Sequence, residues 1–531
     1  MRDLHVRFFN KLFEESNTMK ETQAFLRKLK AEKRQSNYEI VKSLIGTMKS
    51  SEFKFAKGYL MMLHNTEHES EPIKLFRYIT DNPGSTEQEA RNDHEKTNKT
   101  NFDRTVSTLK KHLSWSLVSE YNTQREDAYS YKWKVTFEIM NNLALHYIVI
   151  SRQIPGLAYD LLNETISKAK EVEAYRELII ALELKIRYIK ARSENRLIAR
   201  LENELKFYKT CNDFLEEATR VYFDLGNLTK KMGMQVEELL PTYETAAKRL
   251  NELFQQTNSD SILYYSLFID AAVYKFKEDY GNAGKTFQKL NKIIVGSAVL
   301  NNATNLGRSA LDIANNHVLQ KNFDLSLAFC KKAKSHFSEN SFNHLQAEFL
   351  EFYAFFYSNQ FHYAEKKLKG IINNKSYRES EFMVNSKKYL VACTYFAQGK
   401  YNEAVNVLIG LEKIWKDTTG WNIGIRTLRM LCYKMLGDHE QMAVEREHFR
   451  GLFDRYRHRK GIRERDRIIL KIIHEFLKKN SDFKSVLLRK KKLFDLLSTP
   501  DFEWKVMSHE MIVFEQWFMC MMNKVPYKLE V

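Results

Sequence analysis

Aromatic and small residues recur in a fixed spacing between residues 274 and 408. Each copy starts with an aromatic residue or His, followed by an aromatic residue six positions later, a small residue nine positions later and an apolar or Cys residue thirteen positions later. The four copies are Tyr274, Tyr280, Ala283 and Phe287; His317, Phe323, Ser326 and Cys330; Phe355, Phe361, Ala364 and Leu368; and Tyr395, Tyr401, Ala404 and Leu408. A weaker fifth copy consists of Tyr433, His439, Met442 and Arg446. The spacing predicts helical hairpins, because a small residue lets two helices approach closely while aromatic residues fill the space beside it.

Few prolines interrupt this pattern. Only Pro155 and Pro241 lie between Pro83 and Pro500. Because Pro breaks the helical hydrogen-bond ladder, this distribution favours nearly continuous helix. At 531 residues the chain exceeds one ordinary core but suits a solenoid, which grows by stacking hairpins. We therefore expect an all-α fold, an α-solenoid of helical hairpins with atypical helical ends.

The segment YLVACTYFAQGKYNEAVNVL at 389–408 resembles the tetratricopeptide repeat in its second half and turn. Ala392 falls where that family has a small residue in the first helix, and Gly399 is placed to end that helix. The segment departs from the family at Lys388, where the family has Trp, and in its lack of a closing Pro. The small residues repeat at intervals of 43, 38 and 40 residues instead of ~34. The whole layout is similar to that of large bacterial tetratricopeptide-repeat proteins with degenerate repeats, and this resemblance implies the fold far more than the function.

Composition and pattern divide the chain into four regions. Residues 1–36 form a basic helical extension, and residues 37–130 form a helical region that is either a cap or a helix-turn-helix-like module. Residues 131–455 form the predicted solenoid, in which the repeat phase before residue 260 stays open. Residues 456–531 form a helical cap that is basic at first and aromatic-rich towards its end.

Local signals predict the helices that open the second region. One helix is expected from Tyr38 to His64 and another from Ile73 to Ile79. The turn Asn82-Pro83-Gly84 follows the latter, because these residue types favour tight turns.

The rest of that region is predicted in the same way. Ser85 and Gln88 are expected to form a capping box for the next helix. The polar stretch 91–101 is expected to be a loop. A last helix then presents an apolar face made of Phe102, Val106, Leu109, Leu113 and Leu117.

Charge and architecture together favour a binding protein. The formal net charge is +17, and repeat architectures are mostly binding surfaces. We expect a non-enzymatic scaffold whose concave face holds a peptide or helix of another protein, with an acidic peptide favoured by the positive chain. The partner-binding side chains are expected on the polar inner face of the first helices, at Lys275, Asn315, Asn316, Lys388 and Arg426. The sequence leaves the partner and the oligomeric state open.

The alternative is a nucleic-acid-associated regulator. Residues 73–118 have the order helix, tight turn, helix, loop and basic helix, which is typical of helix-turn-helix modules. Arg104, Lys110 and Lys111 would then contact phosphates. A linker of about ten residues between the last two helices exceeds the usual short turn, which favours a plain helical cap.

Motifs that would indicate catalysis are weak. His64 and His68 match the H-x-x-E-H signature of some zinc proteases, but they lie in a polar connector with no further acidic motif. Gly284-Lys285-Thr286 is similar to the end of a phosphate-binding loop but lacks the preceding Gly and strand, so Lys285 is expected to be exposed beside a buried Phe287. We therefore expect no catalytic residues, no cofactor and no metal site.

The remaining features are read as structural. The run RYRHRKGIRERDR at 455–467 mixes Arg with Glu and Asp, which predicts an exposed helix with salt bridges. The five Cys are far apart and form no CxxC, which fits a reducing compartment, and Cys330 and Cys393 fall at packing positions. The N-terminal residues lack the features of a signal peptide, and no stretch predicts a membrane span. We expect a cytoplasmic protein without membrane insertion.

Overall fold

A computed structural model of the chain describes residues 36–48, 50–63, 70–97, 101–121, 130–190, 195–230, 236–339, 341–373, 381–411, 421–456, 463–477 and 481–530. Within these ranges the chain is helical and contains no β-strand, which confirms the all-α prediction. The chain divides into two compact units, an N-terminal unit within Thr18–Ala169 and a C-terminal unit that includes Lys170–Val531. The region boundaries predicted at residues 36, 130 and 455 stay predictions.

In the described part of the N-terminal unit, the first four helices pack against the fifth. Its helices are α1 (Asn37–Thr47), α2 (Ser50–Leu63), α3 (Glu71–Asp81), α4 (Glu87–Thr97), α5 (Phe102–Tyr121), α6 (Tyr131–Ser151) and α7 (Pro155–Glu171). Helix α5 packs against α1, α2 and α3. The predicted apolar face of α5 is buried at Phe102, Val106, Leu109 and Leu113, whereas the side chain of Leu117 lies outside the described residues.

The predicted single helix from Tyr38 to His64 is wrong. Helix α1 ends at Thr47, and Met48 adopts an extended backbone before α2 begins at Ser50. The Thr47 hydroxyl donates to the carbonyl oxygens of Ser43 and Leu44, and both distances are 3.0 Å. Such side-chain hydrogen bonds compete with the helical ladder and favour a helix end.

The capping box of α4 lies one residue later than predicted. The Thr86 hydroxyl accepts from the backbone N–H of Glu89 over 3.3 Å, and the Glu89 carboxylate accepts from the Thr86 N–H over 2.7 Å. Ser85 is not available for capping, because it is buried in a 2.8 Å hydrogen bond with the Tyr38 hydroxyl. The predicted pair Ser85 and Gln88 is therefore wrong, although the type of cap is right.

The predicted loop at 91–101 is mostly helix. Helix α4 continues to Thr97, and α5 begins at Phe102. Arg91 on α4 pairs with Asp103 on α5 over 2.7 Å and lies 4.6 Å from the centre of the Phe102 ring. These contacts give the polar stretch a helical partner that composition alone does not reveal.

The C-terminal unit continues as consecutive helices. They are α8 (Tyr175–Lys190), α9 (Asn195–Lys230), α10 (Val236–Thr257), α11 (Asp260–Phe276), α12 (Tyr280–Gly296), α13 (Ala303–Leu319), α14 (Phe323–Lys334), α15 (Phe342–Tyr357), α16 (Phe361–Asn373), α17 (Glu381–Ala397), α18 (Tyr401–Ile409), α19 (Trp421–Leu436), α20 (His439–Tyr456), α21 (Glu464–Ile473), α22 (Phe483–Leu497) and α23 (Phe514–Met522). From α8 to α20, each helix packs against the next one in the chain. Helix α13 also packs against α15, and α17 against α19.

The fixed aromatic spacing corresponds to five hairpins. In each hairpin the second position of the pattern is the first residue of the second helix: Tyr280, Phe323, Phe361, Tyr401 and His439. The small residues at the third position, Ala283, Ser326, Ala364 and Ala404, are fully buried. We call α11, α13, α15, α17 and α19 the first helices. The surface that they share is called the first-helix face.

The six-residue step between the aromatic positions is set by the turn. After α11, the N–H of Asp279 donates to the Tyr274 carbonyl over 2.9 Å, and that of Glu278 donates to the Lys275 carbonyl over 3.0 Å. This pair of bonds is a Schellman motif, which requires a positive φ, and Glu278 has φ of 61°. The same bonds recur in the four later hairpins, where the positive-φ residues are Lys321, Asn359, Gly399 and Gly437.

One earlier hairpin has the same turn. The N–H of Ile154 donates to the Val149 carbonyl over 3.0 Å, and Gln153 has φ of 60°. Helix α7 begins at Pro155, and Ala158 is fully buried. Because Pro is tolerated at the first position of a helix, it replaces the aromatic residue of the later copies. The hairpin formed by α6 and α7 therefore has the same turn as the hairpins in α11–α20.

Candidate functional site

All five residues predicted to bind a partner lie on first helices. Lys275 lies near the end of α11, Asn315 and Asn316 lie in α13, Lys388 lies in α17 and Arg426 lies in α19. Lys388 is exposed, whereas Lys275 and Arg426 are partly buried. Arg426 forms an ion pair with Glu445.

The two asparagines of this set are buried within the chain. Asn315 and Asn316 are each 2% exposed, which leaves almost no surface for a partner. The Asn316 side-chain amide donates to the Tyr280 carbonyl over 3.0 Å, and Gln320 donates to the same oxygen over 2.9 Å. A Cβ atom on Gly284 would lie 2.9 Å from the Asn316 amide nitrogen. Gly284 therefore lies inside α12 as a close-packing residue, not in a phosphate-binding loop.

Three ionisable side chains come together on α11 and α13. Asp312 is buried and interacts electrostatically with Arg308 and Lys275. Burial raises the pKa of Asp312 to about 6, although Arg308 and Lys275 act in the opposite direction. Burial also lowers the pKa of Lys275, while Asp312 opposes that shift. We call Lys275, Arg308 and Asp312 the Asp312 cluster, of which the sequence identified only Lys275.

The chain's own residues 503–513 lie against the first-helix face. This irregular segment connects a short 3-10 turn, Pro500–Phe502, to α23. Near its start, Lys505 pairs with Glu278 after α11, and a Glu503 oxygen lies 3.6 Å from the Lys321 nitrogen after α13. The segment then continues to α15, α17 and α19, so it contacts five successive hairpins.

Tyrosine hydroxyls of the first helices hold the backbone of this segment. The Tyr357 hydroxyl accepts from the N–H of Met507 over 2.7 Å. The Tyr389 hydroxyl donates to the carbonyl oxygen of His509 over 2.6 Å. Side-chain contacts to backbone groups do not depend on the identity of the bound residues. The first-helix face is therefore chemically suited to hold an irregular or extended chain.

Shape complementarity is tight where the segment crosses α19. A Cβ atom on Gly424 would lie 2.4 Å from the His509 carbonyl oxygen and 2.7 Å from the Tyr389 hydroxyl. Upstream, the Trp504 ring packs edge-on against Tyr357 with 5.4 Å between the ring centres. Residues 504–513 are buried except Lys505, so the segment is part of the core of this unit.

A buried ionic network anchors the end of the segment. Two nitrogens of Arg465 donate to the two carboxylate oxygens of Glu510, and both distances are 2.8 Å. A guanidinium nitrogen of Arg463 lies 2.5 Å from the Asp466 carboxylate, and the Nε2 atom of His509 lies 3.0 Å from the same carboxylate. Burial alone would raise the pKa of Asp466, but Arg463 and His509 lower it well below its usual value.

This network overturns the expected exposed helix at residues 455–467. Arg463, Arg465 and Asp466 are buried rather than solvated, while residues 457–462 lie outside the described part of the chain. The partners of Arg465 lie 45 and 50 positions further along the chain, at Glu510 and Glu515. Local charge pattern therefore identified the ion pairs but not their burial.

An apolar cleft opens beside the hairpin turns. Its volume is about 1630 Å³, and it lies between the turns at 359–361 and 397–401, α22, α23 and the last described residues. Its lining includes the apolar side chains Phe361, Leu488, Phe494 and Met519. On one wall, the Asn359 side chain accepts from the Leu529 N–H over 2.7 Å and donates to its carbonyl over 2.9 Å. As the tyrosine hydroxyls do for segment 503–513, the Asn359 side-chain amide holds an extended backbone by hydrogen bonds.

The three residues predicted to contact nucleic acid lie on α5. Arg104 and Lys111 are exposed, and Lys110 is half-buried with its amino group 3.0 Å from the Asn37 side chain. Only residues 98–101 separate α4 from α5, because α4 continues to Thr97. The long linker that argued against a helix-turn-helix arrangement is therefore absent.

Three sequence features bear on catalysis: the two His of the H-x-x-E-H match, the Gly-Lys-Thr stretch and the cysteines. His64 and His68 lie outside the described residues. Lys285 is exposed and Phe287 is buried, as expected. All five Cys are free, and Cys330 and Cys393 are fully buried at packing positions, where burial raises the pKa of both thiols.

Among the described residues, no group of three or more His, Cys, Asp or Glu side chains is placed to hold a metal ion. None of the helices in the described ranges has the length and apolar character that crossing a membrane requires. In comparisons with known proteins, no family model matches this chain, and no curated protein matches it significantly.

Proposed function

We propose that the chain is a tetratricopeptide-repeat-like α-solenoid that acts as a non-enzymatic cytoplasmic scaffold. Its first-helix face holds a peptide or helix of a partner protein. The observation that carries this proposal is the binding of residues 503–513 to that face. Tyr357 and Tyr389 hold the backbone of this internal segment by hydrogen bonds, as a peptide-binding groove holds its ligand.

The partner is proposed to bind at the Asp312 cluster. Within the described residues, segment 503–513 forms no hydrogen bond or ion pair with Lys275, Arg308 or Asp312. Among the described residues, the ion pair between the segment and this hairpin involves Lys321, which lies just after the end of α13. The cluster has two cations and one carboxylate, so an acidic side chain or a terminal carboxylate of a partner would complete its charge balance.

Paired charge removal tests this proposal. The double variant Lys275→Gln and Arg308→Gln removes both cations of the cluster, and Lys285→Gln with Lys292→Gln removes two exposed cations from α12 as a matched control. Proteins recovered with each tagged chain from its native cell are then quantified by mass spectrometry. We expect partners to be lost at least tenfold from the first variant and retained by the control. Equal recovery by both variants, with unchanged thermal unfolding, would reject the Asp312 cluster as the binding site.

A nucleic-acid-associated regulator is the second candidate, and the four-residue separation of α4 and α5 favours it. Arg104 and Lys111 project from α5 without an ion pair among the described residues. Binding to random duplex DNA should then weaken steeply as salt increases, because phosphate contacts release counterions. Arg104→Gln with Lys111→Gln should reduce both the affinity and the salt dependence. Absence of binding at low salt would remove this candidate.

A further inference from the structure

Helix α6 is apolar on two opposite sides. One side is buried and carries Val135, Ile139, His146 and Val149. At 3.6 residues per turn, the opposite side carries a second apolar row, which we call the outer stripe: Trp133, Phe137, Met140, Ala144 and Tyr147. A helix that is apolar all round is normally buried all round. The exposed side chains of the outer stripe, Trp133, Met140 and Tyr147, therefore call for a partner surface.

The outer stripe is exposed to an unusual degree. Trp133 and Tyr147 are each 59% exposed, and Met140 is 47% exposed. Ile148 and Ile154 extend the exposed apolar surface towards α7. Because monomeric soluble proteins seldom expose large contiguous apolar patches, this surface marks an interaction site.

The spacing of the stripe indicates what kind of partner fits. Its five residues are separated by steps of four, three, four and three positions, which is the a/d spacing of a helix that packs in a coiled coil. None of the five carries a charge, so a nucleic acid or an acidic peptide would find no ionic partner in the stripe. The complementary surface is an apolar helix.

We propose that the outer stripe forms a homodimer interface in which two copies of α6 pack antiparallel about a twofold axis. A twofold interface must be complementary to itself. The antiparallel arrangement places Ala144 against the partner's Met140 and Phe137 against the partner's Tyr147. In this arrangement the small Ala144 of each copy faces a larger side chain. A parallel pair would instead place Ala144 against its own copy and leave a gap.

The available area agrees with a dimer. A large aromatic side chain can bury roughly 150–250 Å², so the exposed parts of Trp133 and Tyr147 offer roughly 200 Å² in each copy. With Met140, Ile148 and the neighbouring apolar side chains, two copies would bury on the order of 1,000 Å² in total, the size at which a specific interface is expected. The outer stripe and the Asp312 cluster consist of different residues, so separate substitutions test dimer formation and the proposed partner binding.

Sedimentation velocity of the full chain across a range of concentrations tests the proposal. We expect the wild type to sediment with twice the monomer mass at micromolar concentrations. Met140→Glu with Tyr147→Glu should place four like charges in the interface and weaken dimerisation at least a hundredfold. The control Leu488→Glu changes a side chain that is 72% exposed on α22 and should leave the dimer intact. Circular dichroism should show unchanged helix content in both variants.

Cysteine cross-linking tests the antiparallel arrangement. A Met140→Cys chain mixed with an Ala144→Cys chain should form a mixed disulfide in preference to either homodimeric one. Homodimeric disulfides in excess would overturn the antiparallel arrangement. A monomeric wild type at 100 µM, or a dimer that survives the double Glu variant, would overturn the interface. Monomers that instead co-sediment with phosphatidylcholine vesicles through Trp133 would also overturn it.

Discussion

The hydroxyl of Tyr389 donates a hydrogen bond to the carbonyl oxygen of His509 over 2.6 Å, although 120 positions separate the two residues. Both groups are buried, and Gly424 of the next first helix closes over the same carbonyl. Because an unpaired buried carbonyl is costly, this bond fixes where the C-terminal segment crosses the first helices.

Tyr389→Phe should destabilise the C-terminal unit by about 1–3 kcal/mol, because the buried His509 carbonyl loses its donor. Urea unfolding monitored by circular dichroism measures this change. Tyr363→Phe removes a hydroxyl from a side chain that is 57% exposed and should change stability by no more than about 0.5 kcal/mol. Equal effects of the two substitutions would show that the hydrogen bond has no structural role.

Gly424→Ala should destabilise the unit by about 1–3 kcal/mol, since the new methyl group would overlap the His509 carbonyl and the Tyr389 hydroxyl. Gly370→Ala is the matched control, because Gly370 lies in α16 and a Cβ there meets no atom within 4 Å. The control should leave stability unchanged or increase it by up to about 1 kcal/mol, as expected for Ala in a helix. A tolerated Gly424→Ala would mean that segment 503–513 does not pack so closely on α19.

Arg465→Gln should destabilise the unit by about 3–5 kcal/mol, because it leaves the buried carboxylate of Glu510 without its main counter-ion. Arg176→Gln removes an exposed ion pair of similar length with Glu216 and should cost far less stability, because solvent screens exposed charges. Thermal unfolding of both variants provides the comparison. If the two losses are similar, Arg465 is not buried in solution.

Asp312→Asn should alter the pH dependence of stability. The folded pKa of Asp312, about 6, lies above the value of about 3.9 for an unfolded Asp, so its protonated form favours the folded state. Its favourable contribution is complete below about pH 4 and is lost as pH rises through about 6. The Asn side chain does not titrate. The free energy of unfolding of the variant minus that of the wild type should therefore be larger at pH 7.5 than at pH 4.5, as measured by urea unfolding at both pH values. A constant difference would contradict the raised pKa.

The hairpins were predictable from the sequence because they depend on local spacing. Aromatic residues and small residues such as Ala283 and Ala364 recur at positions that a helix pair must fill, and the structure buries the small residues completely. Gly399 was predicted at a helix end for the same reason. The other turns were hidden, since Glu278 and Asn359 adopt the positive φ that a sequence normally reveals through Gly.

Long-range contacts were beyond such local signals. Segment 503–513 shows no helical periodicity, and its partners Tyr357 and Tyr389 lie more than 100 positions earlier. The burial of Arg465 depends on Glu510, and the displacement of Ser85 from its cap depends on Tyr38. The signal that was available is the aromatic and Met-rich composition of the C-terminal region, which indicates a buried segment without identifying its contacts.

Site-specific photo-cross-linking in the native cell tests the proposed binding face most directly. A photoreactive phenylalanine analogue replaces Lys275 on the first-helix face in one variant and Lys292 on α12 in the other. We predict that irradiation yields a discrete cross-linked protein at position 275 and none at position 292. The absence of any adduct at 275, or the same adducts at both positions, would contradict partner binding at the first-helix face.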